Sequence, residues 1–216
     1  MPWGTKNHTQ MRINYYTNHD SQTMYYYNDN WQVLWESDAN GVTKGFFVYG
    51  NYIDETLWGN AGYGYYWSVY DHLYGPAALI SFQGDILERY EYDAYGACQV
   101  LEPNFVPDPD QKSDQGNPYY FTGRRVDFLD NGNLKLQYNR NRYYDYYTSR
   151  FTTHDPLGIN PAGGRYNLLA ILQQYKDGLS LYEYVKNNPV TNNDPLGLIL
   201  GIPIKDFIDV RDIRFF

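Results

Sequence analysis

Apolar and polar residues alternate in short stretches along the first hundred positions, and residues that favour turns cut the stretches apart. In Arg89-Tyr90-Glu91-Tyr92 the two tyrosines fall on one face of an extended chain and the two charges on the other, the period of a half-buried strand. The pattern also repeats. Tyr27, Tyr49, Tyr70 and Tyr92 lie 22, 21 and 22 residues apart, and the next residues are Asn28, Gly50, Asp71 and Asp93, all turn formers. Gly41 and Gly84 stand 43 residues apart, each before another strand-like stretch. Every unit therefore predicts strand, turn, strand. One such hairpin is marginal alone, so successive units must pair to cover the tyrosine face.

The alternation stops near Leu101. Residues 102–117 hold Pro103, Pro107, Pro109, Gly116 and several aspartates without periodicity, which predicts a polar linker. Beyond it, Asp130-Asn131-Gly132-Asn133 predicts a hairpin turn between Val126–Phe128 and Leu134–Tyr138. Leu168–Tyr175 suggests a short helix, and Leu181–Lys186 a helix or a strand. The fold class expected is all-β with minor helix.

Composition sharpens this picture. The 216 residues include 26 Tyr, 19 Gly and 11 Pro, and the mean hydropathy is -0.67. Disorder would deplete aromatics, so the polar average does not predict an unfolded chain. A tyrosine stripe at period two is read as architecture rather than as a sugar platform. The net charge of -8 argues against a broad nucleic-acid footprint. Arg140, Arg142 and Arg150, interleaved with tyrosines, resemble a single-strand stacking platform, but Asp145 and Asp155 offer them local ionic partners. Cys98 is alone and the four histidines lack ligand spacing. Asp108, Asp110 and Asp114 lack the glycine and distal glutamate of a calcium loop. No metal or cofactor is expected. No apolar run reaches membrane-spanning length and Met1 opens no signal-peptide pattern. The expectation is a reading frame cut from a longer ancestral protein.

Several motifs in order resemble the RHS/YD-repeat family. Tyr90-x-Tyr92-Asp93-x-Tyr95-Gly96 is similar to its YD repeat. Asn117 to Gly123, Asn141-Arg142-Tyr143-Tyr144-Asp145, Asp155-Pro156-Leu157-Gly158, Leu181 to Val190 and Asp194-Pro195-Leu196-Gly197-Leu198 are similar to its repeat-associated core. The resemblance divides the chain into YD-type repeats (1–101), the linker (102–117), the core (118–198) and a short variable tail (199–216). It implies a β-strip spiralling into a shell, a core that closes one end, and, in toxin-bearing members, an enclosed C-terminal toxin. It implies secretion or a cell-surface location, and as partners the upstream YD-repeat units of the shell and the toxin. About four repeats form only an arc, and 18 residues after Leu198 are too few for a folded toxin.

The family's core also implies an aspartic self-protease that cuts after the Asp-Pro-x-Gly-Leu motif. Carried onto this chain, the cleavage motif is Asp194, Pro195 and Gly197, and the scissile bond Leu198–Ile199. The carboxylate pair is Asp155 and Asp177, with Arg150 orienting one of them. Such chemistry needs two close carboxyl groups sharing a proton. A bland role stands beside each catalytic one: the Asp caps its own turn and the Pro fixes the next φ. Two other functions remain open. One is surface adhesion or carbohydrate binding through Trp31, Trp35, Trp58 and Trp67; the other is a truncated, inactive remnant.

Overall fold

The computed structural model describes residues 8–13, 22–155, 180–198 and 202–203. The chain is all-β. A nine-stranded antiparallel meander runs through β1 (His8–Ile13), β2 (Gln22–Tyr27), β3 (Val33–Asp38), β4 (Thr43–Tyr49), β5 (Thr56–Asn60), β6 (Tyr65–Tyr70), β7 (Pro76–Ile80), β8 (Ile86–Tyr92) and β9 (Cys98–Leu101). A second sheet follows, of β10 (Arg125–Leu129), β11 (Leu134–Asn139), β12 (Arg142–Asp145) and β13 (Arg150–Phe151). A two-residue pair joins β14 (Asn192–Asn193) to β15 (Ile202–Pro203). Among the described residues helix is limited to single 3-10 turns, at Phe121–Gly123, Asp130–Gly132 and Val185–Asn187.

One turn closes hairpin after hairpin in the meander. At Asn28, Asp38, Asp71, Ser81 and Asp93 the side-chain oxygen accepts the amides two and four residues on, at 2.8–3.2 Å. The backbone carbonyl of the same residue accepts the amide three residues on. The residue donating that amide has positive φ: Trp31, Gly41, Tyr74, Gly84 and Gly96. A short polar side chain that mimics the backbone lets the strand reverse without an orphaned amide.

The tyrosine register is real in three dimensions. Tyr27, Tyr49, Tyr70 and Tyr92 each end an even-numbered strand. Each sits opposite the first residue of the next strand: Val33, Thr56, Pro76 and Cys98. The Tyr92 hydroxyl donates to the Pro76 carbonyl at 2.9 Å, and the Tyr70 hydroxyl donates to that of Thr56. Each of these phenols thus ties its repeat to the one before.

The inner face of the meander carries Tyr25, Phe47, Tyr66, Leu79, Tyr90 and Val100, all buried. Against it pack Tyr119, Tyr120 and Phe121, then Val126, Tyr144, Phe151 and Tyr184 from the second sheet and the closing segment. Ring edges meet ring faces at Phe47–Tyr119 (5.0 Å) and Tyr90–Tyr120 (5.5 Å), the geometry that aromatic quadrupoles favour. Gly96 is required twice over. Its φ is +94°, and a Cβ would overlap the Phe121 ring.

Two expectations need refinement. Residues 102–117 form no strand, only an isolated Leu101–Pro107 bridge, and 103–107 are exposed. Their far end is nevertheless pinned inside, because the Asn117 side chain donates to Tyr90 Oη and the Tyr119 carbonyl and accepts from Tyr66. Leu181–Lys186 forms no regular helix or strand: a turn with Glu183 bridged to Arg150 runs into the 3-10 turn at Val185 and buries Tyr184. Three aromatics, Phe121, Tyr144 and Phe151, surround that ring, so burial of Tyr184 overrides regular structure. The helix expected at 168–175 lies outside the described residues.

Candidate functional site: a buried Asp-Pro-x-Gly clamp

Asp194 makes the same turn as the meander aspartates. Its Oδ1 accepts the amides of Leu196 (3.2 Å) and Leu198 (3.1 Å), and Gly197 takes the positive φ of +66°. The surroundings differ. Asp194 is 3% exposed, and the carbonyls of the turn are taken by side chains from elsewhere. Arg124 Nη2 and Asn139 Nδ2 donate to the Asp194 carbonyl at 3.3 and 3.4 Å, and Arg140 donates to that of Pro195. The amide and Nδ2 of Asn141 donate to the Leu196 carbonyl at 3.3 and 2.9 Å. Arg142 Nε donates to that of Gly197 at 2.6 Å. A Cβ at Gly197 would overlap the Asn139 carbonyl oxygen.

The donors come largely from one hairpin, the β11–β12 turn Asn139-Arg140-Asn141-Arg142, where Arg140 has φ +58°. Buried guanidinium groups need carboxylates, and three aspartates supply them. Asp54 bridges Arg140 (2.8 Å) and Arg124 (2.9 Å). Arg142 Nη2 reaches Asp155 Oδ2 (3.1 Å) and Asp194 Oδ2 (3.4 Å), and its guanidinium lies 3.4 Å from the centre of the Phe151 ring. Burial pushes the Asp194 carboxyl up to about 6, with Arg142 pulling the other way. Desolvation likewise lowers the pKa of Arg124 despite Asp54. Asp54 enters from the meander because the β4–β5 connection departs from the common turn: Tyr52, Ile53 and Asp54 all point inward and are 3–6% exposed. Asn193 Nδ2 donates to Tyr52 Oη at 2.8 Å and so closes the contact from the other side.

Asp155 is 1% exposed and lies at this clamp, as do Asp194, Pro195, Gly197 and Leu198. The guanidinium that reaches Asp155 is that of Arg142, whereas Arg150 is exposed, at the start of β13 and opposite Asp145. Asp177 and Ile199 lie outside the described residues. Arg140 and Arg142 stand out in the sequence as a basic cluster and Asn141 as part of a core motif, none of them as carbonyl donors, and Asp54, Arg124 and Asn139 do not stand out at all. Two signals were present: apolar Tyr52 and Ile53 at a turn position, and the Asn-Arg-Asn-Arg run at a hairpin tip. Glu102, Asp108 and Asp114 also converge, with one carboxylate oxygen of each within 4.8 Å of the others. Asp108 Oδ1 there accepts the amides of Asp110 and Gln111.

The architecture is that of a repeated antiparallel strip closed by a smaller sheet and a clamped terminal segment. No family model matches the chain. It is similar to YlbH of Escherichia coli K12, 36% identical over 121 residues, which are 56% of this chain and 39% of that protein. It is also similar to the toxin subunit YenC1 of Yersinia entomophaga, 28% identical over 133 residues, 61% of this chain and 11% of that protein. The chain therefore spans well under half the length of these relatives. In fold it resembles the crystal structure of TcdB2-TccC3, with a TM-score of 0.55 and 20% identity over 88% of this chain and 8% of that one. Among the described residues no helix is long and apolar enough to cross a membrane.

Proposed function

We propose that this chain is the closing module of an RHS/YD-repeat shell, of the kind that encloses and releases a C-terminal toxin. The observation that carries the reading is the clamp: the Asp-Pro-Leu-Gly-Leu segment is held by every carbonyl from Asp194 to Gly197, beside a buried carboxylate, Asp155. The similarity to a toxin subunit and the shared fold support it. The partners are further repeat units of the same shell and, in full-length relatives, the toxin. The setting is secreted or at a cell surface.

The chemistry proposed for the site is self-cleavage of Leu198–Ile199 by Asp155 and Asp177. One carboxylate takes a proton from water as its oxygen attacks the Leu198 carbonyl. The other protonates the Ile199 nitrogen as the C–N bond breaks, leaving a Leu198 carboxylate and an Ile199 amine. Arg142, 3.1 Å from Asp155, orients that carboxylate, the role the resemblance gave to the exposed Arg150. The test is intact mass of the purified chain over time. Loss of residues 199–216 is the expected product, and Asp155→Asn or Asp177→Asn abolishes it while circular dichroism stays unchanged. Continued processing in both variants overturns the assignment.

A second reading has its own support. On the outer face of the meander Tyr26 stacks on Trp35 (4.7 Å) and Trp58 on Tyr65 (5.3 Å), next to Trp67. Trp31, Trp35 and Trp67 are exposed and Trp58 is half-buried. Such faces suit sugar rings. Specific binding on a glycan array that Trp67→Ala removes would favour adhesion.

A further inference from the structure

We infer that the Asn139–Arg142 turn, together with Arg124, is a peptide-binding site. It reads Asp-Pro-x-Gly in the chain's own closing segment and holds it whether or not the chain continues past Leu198. The biological purpose, keeping the shell closed after its cargo is cut free, rests on the shell-closing reading above; the binding itself does not.

Recognition is of main chain first. Donors on one hairpin tip and Arg124 engage the carbonyls of four successive residues, which fixes both direction and register of the bound segment. Side-chain reading is superimposed on it. At Asp194 the carboxylate meets Arg142 and satisfies two amides of its own turn. At Pro195 no N–H needs a partner, and the ring is buried. At Gly197 there is no room for a Cβ, and φ is positive. Leu196 is half-buried, the tolerant position.

Several donors are held by contacts outside the segment. Asp54 pairs with Arg124 and Arg140 from the meander, and Asp155 pairs with Arg142, which lowers the entropy lost when the segment binds. Among the described residues beyond Leu198, Ile202–Pro203 pair with Asn192–Asn193 over two residues, fewer bonds than the clamp itself makes to the segment. A cut at Leu198–Ile199 therefore leaves residues 190–198 bound, with the His72 ring also on the Val190 carbonyl at 3.1 Å.

The experiment uses the full chain with a site-specific protease sequence inserted after Leu198. Amide hydrogen exchange at Leu196, Gly197 and Leu198 is read before and after the external protease cuts. The inference expects exchange to change by no more than about twofold on cutting. It also expects Arg140→Ala to speed exchange by about tenfold or more in the cut chain, as loss of one charge-assisted hydrogen bond does. Asn141→Ala, at an exposed position that does not endanger folding, gives a smaller increase at the same amides, with strands β6–β8 unaffected. Exchange at free-peptide rates after cutting overturns the inference and assigns retention to the β14–β15 pairing; so does unchanged exchange in both variants. Because the cut is made externally, the result stands whether or not the native chain processes itself, which the mass of the unmodified chain decides separately.

Discussion

At Asp93 and at Asp194 the chain makes one turn twice. Each carboxylate accepts the amides two and four residues on, and a glycine with positive φ follows at the third position. Asp93 is exposed, and its turn takes one bond from elsewhere, from the Tyr144 hydroxyl to the Tyr95 carbonyl at 2.9 Å. Asp194 is buried, and its carbonyls are held by Asn139, Arg140, Asn141, Arg142 and Arg124. The meander is thus built of locally satisfied units whose stability comes from stacking aromatics. The closing segment is a local unit made dependent on distant charge. In the first region a side chain can be changed and its neighbours adjust; in the second, removing one partner strands another in a medium that does not solvate it.

The largest test of that contrast is Arg142→Ala against Arg89→Ala. The first leaves Asp155 and Asp194 buried without their shared cation and is expected to cost about 3–5 kcal/mol. The second removes a half-exposed meander arginine that donates to the Pro103 carbonyl and lies over the Phe105 ring, and is expected to cost about 1 kcal/mol or less. Chemical denaturation of the two variants measures both. Equal losses would break the comparison.

Next comes pH. The Asp194 carboxyl is raised from 3.8 to about 6 by burial. Between pH 4 and 6 the folded chain therefore holds a proton that the unfolded chain gives up, so this group makes stability fall as pH rises through that window. The contribution is about 3 kcal/mol across it. Asp194→Asn keeps the two amide bonds, as Asn28 does in the first of these turns, and is expected to flatten that part of the stability–pH curve. Melting curves of the native chain and the variant from pH 4 to 7 check this.

Glycines give a smaller effect of the same kind. Gly84 and Gly197 both have positive φ, but a Cβ at Gly84 meets nothing within 4 Å, whereas at Gly197 it meets the Asn139 backbone. Gly84→Ala is expected to cost about 1 kcal/mol for the left-handed backbone alone. Gly197→Ala should cost about 1–3 kcal/mol more for overpacking, read from the same denaturation midpoints. A change of similar size is expected for Tyr92→Phe, which leaves the ring and removes the hydroxyl bond to Pro76, about 1 kcal/mol. A loss several times larger would mean that the phenol ties between repeats, not ring packing, carry the meander.

The meander was readable because its determinants are local and periodic. Tyrosines at a spacing of 21–22 residues, each followed by Asn, Gly or Asp, specify where strands end, and side-chain oxygens close the turns without help from elsewhere. The Asp130–Asn133 hairpin was legible for the same reason. The Tyr184 segment was not, because three aromatic neighbours decide its path and none is near it in sequence. At the candidate site, Asp155 and Asp194 were visible as Asp-Pro motifs. What holds them was not, and the expected partner, Arg150, turns out to be exposed on a strand while Arg142 faces inward.

By itself the sequence determined an all-β chain, the repeat register, the turn positions and the motif at its closing end, since each depends on the φ preference or hydrogen-bonding reach of residues a few places apart. Only the tertiary structure decided that Asp54, from an irregular loop of the meander, reaches Arg124 and Arg140, some 70 and 86 residues away. Only it decided that Arg142 joins Asp155 to Asp194. Burial of like numbers of arginines and aspartates fixes those pairings, because an unpaired charge there would cost several kcal/mol. That constraint acts through space and leaves no period along the chain to read.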